Sequence, residues 1–262
     1  MSATRQDTPQ GRFYDIDGES FPSVTHVLSV IGKPALIHWA ANQERELVTE
    51  AAADLYADLN RGGAAPMIRP VYLQTLAGRL GTVRAHRRTL ERAGAIGTQV
   101  HHWIEWKLRQ QLGQPVGAPP KVDEPARCAC FAFLAWAERV RLAPRLIEQT
   151  VWSKKHRYAG TMDLLADVDG VLTLVDFKTG KAIYPEAHVQ NVAYQVALAE
   201  MGHAAPAEGL IVRLPKVSTE KDELEFATVP PVADLFPVFL AVREVWQWSF
   251  DQDAAKRAKG AA

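Results

Sequence analysis

Tyr158-Ala-Gly160-Thr161-Met162-Asp163-Leu-Leu-Ala-Asp-Val168, then Asp169-Gly170, then Val171-Leu-Thr-Leu-Val-Asp176-Phe177-Lys178 is the stretch that decides the fold class. Its two apolar runs read as strands. The Asp-Gly pair between them is a strong hairpin signal. Asp163 sits inside the first strand, where a carboxylate is costly unless it is paired or holds a metal ion. Strict alternation predicts Thr161, Asp163 and Leu165 on one face and Met162 and Leu164 on the other. Asp176 ends the second strand, and Lys178, two residues on, shares its face. Phe177 is expected to point into the core, so its backbone carbonyl can face the site. Hard oxygen donors of this kind suit one or two Mg²⁺ or Mn²⁺ ions. With a lysine beside them, the chemistry they point to is phosphodiester hydrolysis. Lys178 can orient a water or stabilise charge on the phosphate. To act as the base itself it needs a lowered pKa.

Outward from this hairpin the pattern is mixed α/β. Leu146–Trp152 reads as a strand before it. An Ala-rich helix at 186–201, strands at Leu210–Leu214 and Leu224–Val229, and a helix at 232–248 follow it. On the N-terminal side, residues 12–18 read as a strand and turn closed by Asp17-Gly18. Pro22-Ser23-Val24-Thr25 then opens a helix, with Ser23 or Thr25 as its cap. Helices are predicted at 35–60, 70–92, 95–112 and 124–140. Asn60-Arg-Gly-Gly63 and the Gly/Pro-rich 113–120 act as breaks. The domain expectation is a mainly helical N-terminal region over 1–120, an α/β core over 121–250, and a charged, flexible tail over 251–262.

The chain has 262 residues, 47% of them hydrophobic, enough to bury a sizeable core. No uninterrupted apolar run reaches the roughly 18 residues of a membrane span. The N-terminus lacks the apolar stretch of a signal peptide, so the expected location is cytoplasmic. Cys128 and Cys130 are the only two cysteines. They lie too close for an ordinary structural disulfide and are too few for a four-thiolate zinc or iron–sulfur site. Thirty basic and thirty acidic residues leave a net charge of zero. A whole-molecule field therefore cannot attract nucleic acid, although local patches can. Arg84, Arg87 and Arg88, with Arg79 and Arg92, form one basic segment. Lys154, Lys155 and Arg157 form another beside His156, and Lys181 joins Lys178 in a third. Trp39, Trp103, Trp106 and Trp152 are candidates for stacking on unpaired bases, each competing with a plain core role. Neither a phosphate-binding Gly-x-x-x-x-Gly-Lys-Ser/Thr loop nor a sequence-reading module is present.

Two further pairs of side chains stand at helical spacing, and one more acidic residue lies on the preceding strand. His101 and Glu105 lie one turn apart on one face and can both approach a metal ion. Gln190 and Tyr194 repeat that spacing after the Asp176 strand, where Gln190 can donate to a phosphate oxygen and Tyr194 can donate or stack. Glu148, on the strand before Tyr158, is a further acidic candidate. It can assist a second metal ion or pair with Lys154 or Arg157.

Taken together, Gly160-Thr-Met-Asp163, Asp176-Phe-Lys-Thr-Gly180, Gln190-Asn-Val-Ala-Tyr194 and Gly97-Thr-Gln-Val-His101 resemble the motifs of the PD-(D/E)XK nuclease superfamily in its RecB-like branch. The N-terminal Pro22-Ser-Val-Thr25 and the helical segment before residue 97 are similar to phage-type and mitochondrial-type single-strand exonucleases of that branch. The resemblance implies a restriction-endonuclease-like mixed central sheet flanked by helices. It implies that His101, Asp163, Asp176 and the Phe177 carbonyl surround the metal, with Lys178 catalytic and Gln190 and Tyr194 supporting the site. Some members of the branch carry four cysteines for an iron–sulfur cluster, and Cys128 and Cys130 cannot complete such a set. The implied activity is metal-dependent DNA hydrolysis from single-stranded or frayed ends. A structure-selective endonuclease and a non-cleaving nucleic-acid-binding protein of the same fold are the alternatives. DNA is the expected partner, and the resemblance points to a helicase or annealing protein as a companion in recombination, repair or phage replication.

Overall fold

The computed structural model describes residues 3–61, 69–217 and 223–260. They form two compact units, one of Gly32–Ala95 and one of the remainder. Gly62 and Gly63 of the expected break, and the last two residues of the expected tail, lie outside the described residues.

The larger unit is built on a five-stranded sheet. It contains β4 (Ala143–Ser153), β5 (Tyr158–Val168), β6 (Val171–Lys178), β7 (Glu208–Arg213) and β8 (Glu225–Thr228), in that order. All neighbours are antiparallel except β6 and β7. That parallel pair needs a crossover, which α6 (Pro185–Glu200) supplies. The turn between β5 and β6 is the Asp-Gly hairpin read from the sequence. Asp169 and Gly170 both take positive φ, 51° and 86°, as a tight twisted hairpin requires.

Helices cover both faces of the sheet. On one side, α4 (Ala85–Gln111) and α5 (Glu124–Arg139) bury Val100, Ile104, Leu108, Phe133 and Trp136 against Leu164, Val175 and Phe177. Asp123 caps α5 by accepting from the Ala126 amide, and Pro125 occupies its first turn. On the other side, α6 and α7 (Val232–Gly260) pack with Met162, Leu165 and Leu174. Alanines at 193 and 197 let α6 lie close on the strands. The fold is therefore α/β, a mixed central sheet flanked by helices, with a mainly helical N-terminal half. Helix α7 continues through residues 251–260, and residues 251–259 are exposed.

The N-terminal residues form a meander of β1 (Ala3–Thr8), β2 (Gly11–Ile16) and β3 (Glu19–Pro22). It buries Tyr14, Ile16 and Phe21 against Ala159, and a bridge joins Ser23 to Ala159. Short helix α1 (Val24–Val27) follows, with Ser23 rather than Thr25 as the cap, accepting from the His26 amide. Strand β1 is absent from the sequence reading because its Ala-Thr-Arg-Gln-Asp-Thr run is polar and almost wholly exposed.

The smaller unit consists of α2 (Pro34–Arg61), α3 (Arg69–Leu80) and the first turns of α4. Arg79 pairs with Asp58 at 2.7 Å, and His86 meets Glu44 at 2.8 Å. The expected helices at 70–92 and 95–112 are corrected here. The break falls at 81–84, where Gly81 takes a left-handed φ of 67°, whereas Gly94 is accommodated inside α4.

Candidate metal and hydrolysis site

The site lies where β5 and β6 part. Their ladder ends at the pair Leu164–Val175. Beyond it, the Phe177 amide donates to the Asp163 carboxylate (Oδ2, 2.7 Å) instead of to a strand carbonyl. The carboxylate thus holds the end of β6 against the middle of β5 where the two diverge. The expected alternation fails at this point. Met162 packs with Leu165 and Leu174, while Leu164 packs with Ile147, Val175 and Phe177. Residues 162 and 165 can share a side only if the alternation slips by one between them. The change of side falls at Asp163 and the facing Glu148, whose backbone is left-handed at φ 46°, while the register stays unbroken from Ile147–Leu164 to Gln149–Met162. Asp163 therefore faces His101, Ile104 and Leu108 on the α4 side, not the side of Leu165.

Helix α4 brings His101 onto these tips. Gly97, one turn earlier, passes so close to the end of β6 that a Cβ would stand 3.2 Å from Thr179 Oγ1. The His101 Nδ1 atom lies 3.5 Å from Asp163 Oδ1 and 3.6 Å from Glu148 Oε1. One donor atom from each of these three residues lies within 4.8 Å of the others, a spacing that can hold a metal ion. Glu105 lines the same cleft but is engaged by Arg109 at 2.9 Å and stands outside this group of three.

Asp176 and Lys178 form the other half of the site, with Oδ2 and Nζ 2.7 Å apart. Asp176 is 2% exposed, and its Oδ1 has no hydrogen-bond partner among the described residues. Lys178 also donates to Gln190 Oε1 at 3.2 Å, and Gln190 Nε2 donates to the Tyr194 hydroxyl at 3.2 Å. Tyr194 is buried against Gly160, where any Cβ would come within 2.5 Å of its ring. Gly160, the residue immediately before Thr161, is thus the space that Tyr194 fills. The Phe177 ring is buried edge-on against Phe133 and Trp136, at centroid distances of 5.4 and 5.9 Å.

Electrostatics in this pocket follow from burial and from who faces whom. Burial pushes Asp176 up to about 6, with Asp163 adding to the rise and Lys178 opposing it. Burial also raises Glu148, which the nearby Asp163 carboxylate reinforces. For Asp163, burial is outweighed by His101, Lys178 and the Phe177 amide, and its carboxyl falls below the usual range. Burial disfavours charge on His101, but Asp163 and Glu148 overcome it and raise the imidazole to about 10. Lys178 is likewise raised by Asp176 and Asp163 against burial, so it is an ammonium and not a base in this state. An imidazolium between two carboxylates, beside a buried carboxylate oxygen without a partner, marks a place that calls for cationic charge. The donor set of imidazole and carboxylates fits a divalent metal ion.

The remaining candidates are scattered. Lys154 and Arg157 tie the β4–β5 turn to the meander, pairing with Asp17 at 3.0 Å and Glu19 at 2.7 Å. Lys155 and Lys181 are exposed. Arg84, Arg87 and Arg88 belong to the smaller unit, where Arg87 stands 3.9 Å from Glu91. Trp106 donates to the Gly117 carbonyl, and Trp103 and Trp152 pack on core clusters. Trp39 lies in the smaller unit. Cys130 is buried, which pushes its thiol up to about 12, and Cys128 is half-buried. Tyr14 was not singled out in the sequence. Its hydroxyl lies 2.9 Å from Thr161 Oγ1, two residues before Asp163. A contact across 147 positions leaves no trace in spacing or composition.

The family model of the PD-(D/E)XK nuclease superfamily matches residues 123–259, more than half of the chain. No curated protein matches the sequence. Among solved structures, an alkaline exonuclease (LHK-Exo) from Laribacter hongkongensis shares 12% identity, covering 70% of this chain and 90% of its own, with a TM-score of 0.37.

Proposed function

The chain belongs to the PD-(D/E)XK nuclease superfamily, and from that premise we propose that it is a divalent-metal-dependent DNA exonuclease of the RecB-like branch, acting on single-stranded or frayed ends. The observation that carries this reading is the meeting of His101 from α4, Glu148 from β4 and Asp163 from β5 within ligand distance of one another, next to the strand tips around the Asp176–Lys178 pair. The Gly97-to-His101 turn and the Gln190-to-Tyr194 turn, both aimed at those tips, support the branch.

His101, Asp163, Asp176 and the Phe177 carbonyl would hold Mg²⁺ or Mn²⁺, with Glu148 completing the set. When bound, the ion supplies neutralising charge to a phosphate and acidifies a water. The protein's own groups do the rest. Lys178 presents an ammonium at the strand tip, where it can orient a water or neutralise charge growing on the phosphate. Gln190 fixes the direction of that ammonium by accepting from it, and Tyr194 fixes Gln190 in turn. Burial of Asp176 keeps bulk water from screening these charges. The exposed Lys155 and Lys181, with Arg84, Arg87 and Arg88, are candidates for sequence-independent phosphate contacts. A helicase or annealing protein is the companion such an activity would suit.

Digestion of end-labelled linear and closed circular single-stranded DNA with Mg²⁺ or Mn²⁺, beside Asp176→Ala, tests the proposal. Metal-dependent loss of the linear strand alone, abolished by the substitution, is the expected result. Cutting of the circle would make the protein an endonuclease. Binding without cutting at any divalent ion would make it a non-cleaving member of the family.

A further inference from the structure

A second cavity, of about 630 Å³, opens between the N-terminal meander and α7, both parts of the larger unit. It shares no lining residue with the catalytic cleft. Its size falls within the range of small-molecule sites. One wall is aromatic. Trp246 and Phe250 stack on each other at 5.1 Å, and Phe13 meets Phe250 edge-on at 5.7 Å.

The polar lining has a definite sign. Arg157 and Arg243 both border the cavity, and no carboxylate does. Arg157 is partly neutralised by Glu19. Arg243 makes no ion pair among the described residues. Its Nε is buried without an acceptor, and its Nη2 reaches only the Arg157 carbonyl at 3.5 Å. Burial and the neighbouring Arg157 guanidinium both weaken its hold on its proton, with Glu244 opposing them. The carboxamides of Gln6, Gln10 and Gln247 complete the lining; Gln247 Nε2 donates to Asp251 at 3.0 Å, which leaves its oxygen to accept, while Gln6 and Gln10 offer donors and acceptors together.

We propose that this cavity binds a nucleoside monophosphate, with the phosphate on Arg243 and Arg157 and the base against the Phe13–Trp246–Phe250 wall. The two guanidiniums match a doubly charged phosphate. The aromatic wall takes a flat ring, and the three carboxamides suit the mixed donors and acceptors of a base edge. A plain fatty anion would make no use of the Gln6 and Gln10 carboxamides or of the Gln247 oxygen. The choice of ligand rests on the nuclease reading, since such a protein meets nucleotides both as strand units and as free products.

The test is calorimetric titration of the full chain with dTMP, thymidine and 2-deoxyribose 5-phosphate in chelator, where metal-held phosphate is removed. One dTMP site is expected, with thymidine and the sugar phosphate each at least tenfold weaker. Arg243→Met and Gln247→Glu should each weaken dTMP at least tenfold, while Asp163→Asn leaves it unchanged. Two variants on different residues guard against a folding defect in one. No binding at millimolar dTMP, indifference to both α7 variants, or loss in Asp163→Asn would overturn the proposal. Competition identifies the source. Displacement of dTMP by unphosphorylated oligo(dT) places an internal strand unit in the cavity, and displacement only by the 5′-phosphorylated oligomer places a strand end there. Displacement by neither leaves the free nucleotide. Cleavage assays on the same preparation separate this outcome from that of the nuclease reading.

Discussion

Asp176 is held against its own ionisation. Its carboxyl titrates near 6 in the folded protein against an ordinary 3.8, because burial and Asp163 outweigh Lys178. The sign follows directly. The folded state binds this proton more tightly than the unfolded chain, so the stabilisation it brings is fully present below pH 3.8 and is lost as pH rises through about 6. Above that range the ionised group costs on the order of 2–3 kcal/mol in the metal-free protein. Asp176→Asn should therefore unfold several degrees higher than the parent at pH 7.5 in chelator, and at the same temperature as the parent at pH 3.5. Its hydrolytic rate should fall by a factor of about a thousand or more. A thermal melt series against pH decides the matter. A lower melting temperature at pH 7.5 would mean that the Lys178 pair outweighs burial. Gly160 gives a second residue-scale expectation. Gly160→Ala forces a methyl to 2.5 Å from the Tyr194 ring, so Tyr194 must move and Gln190 loses its brace. Urea unfolding should show a loss of about 1–3 kcal/mol.

At the scale of elements, the site depends on strand tips kept in place by the core behind them. Phe177 is the anchor. Its ring is 1% exposed between Phe133 and Trp136, while the residues on either side of it in sequence are Asp176 and Lys178. Phe177→Ala should cost about 3–5 kcal/mol in denaturant unfolding, and Phe177→Leu much less. If the alanine variant unfolds at the parent's midpoint, β6 is anchored by its ladder alone. The same elements show what a single sequence can disclose. The β5–β6 hairpin was legible because Asp169-Gly170 meets a strict backbone demand. That Lys178 shares a side with Asp176, and Gln190 with Tyr194, was legible from the strand and helical periods, whereas the approach of His101 to Asp163 was suggested by the motif resemblance and not by any period. The side taken by Asp163 was not. It depends on a change of side opposite Glu148, and Glu148 adopts a left-handed conformation that no residue type announces there. The α3–α4 break was hidden among several glycines of which only Gly81 turns the chain. The Tyr14–Thr161 contact joins segments that only the folded chain brings together.

Over the whole molecule the charges cancel, thirty against thirty, and no helix among the described residues is long and apolar enough to cross a membrane. Long-range attraction therefore cannot gather DNA, and the phosphates of a strand fall first to cations without a carboxylate partner. Lys154 and Arg157 are spoken for by Asp17 and Glu19. Exposed Lys155 and Lys181 are in no ion pair among the described residues. These two classes should separate in the salt dependence of binding. With Asp176→Asn as the non-cutting background, affinity for oligo(dT) is followed from low to moderate salt in chelator. Lys155→Gln and Lys181→Gln should each reduce the slope of log affinity against log salt by about 0.7, the release expected for one phosphate contact on a single strand. Lys154→Gln should leave the slope nearly unchanged, because its ammonium already has a carboxylate 3.0 Å away. Equal effects from all three would show that the Asp17 pair opens on binding and that the whole β4–β5 turn grips the strand. No effect from any would move the phosphate contacts to the arginines of the smaller unit, Arg84, Arg87 and Arg88, where the same titration can follow them.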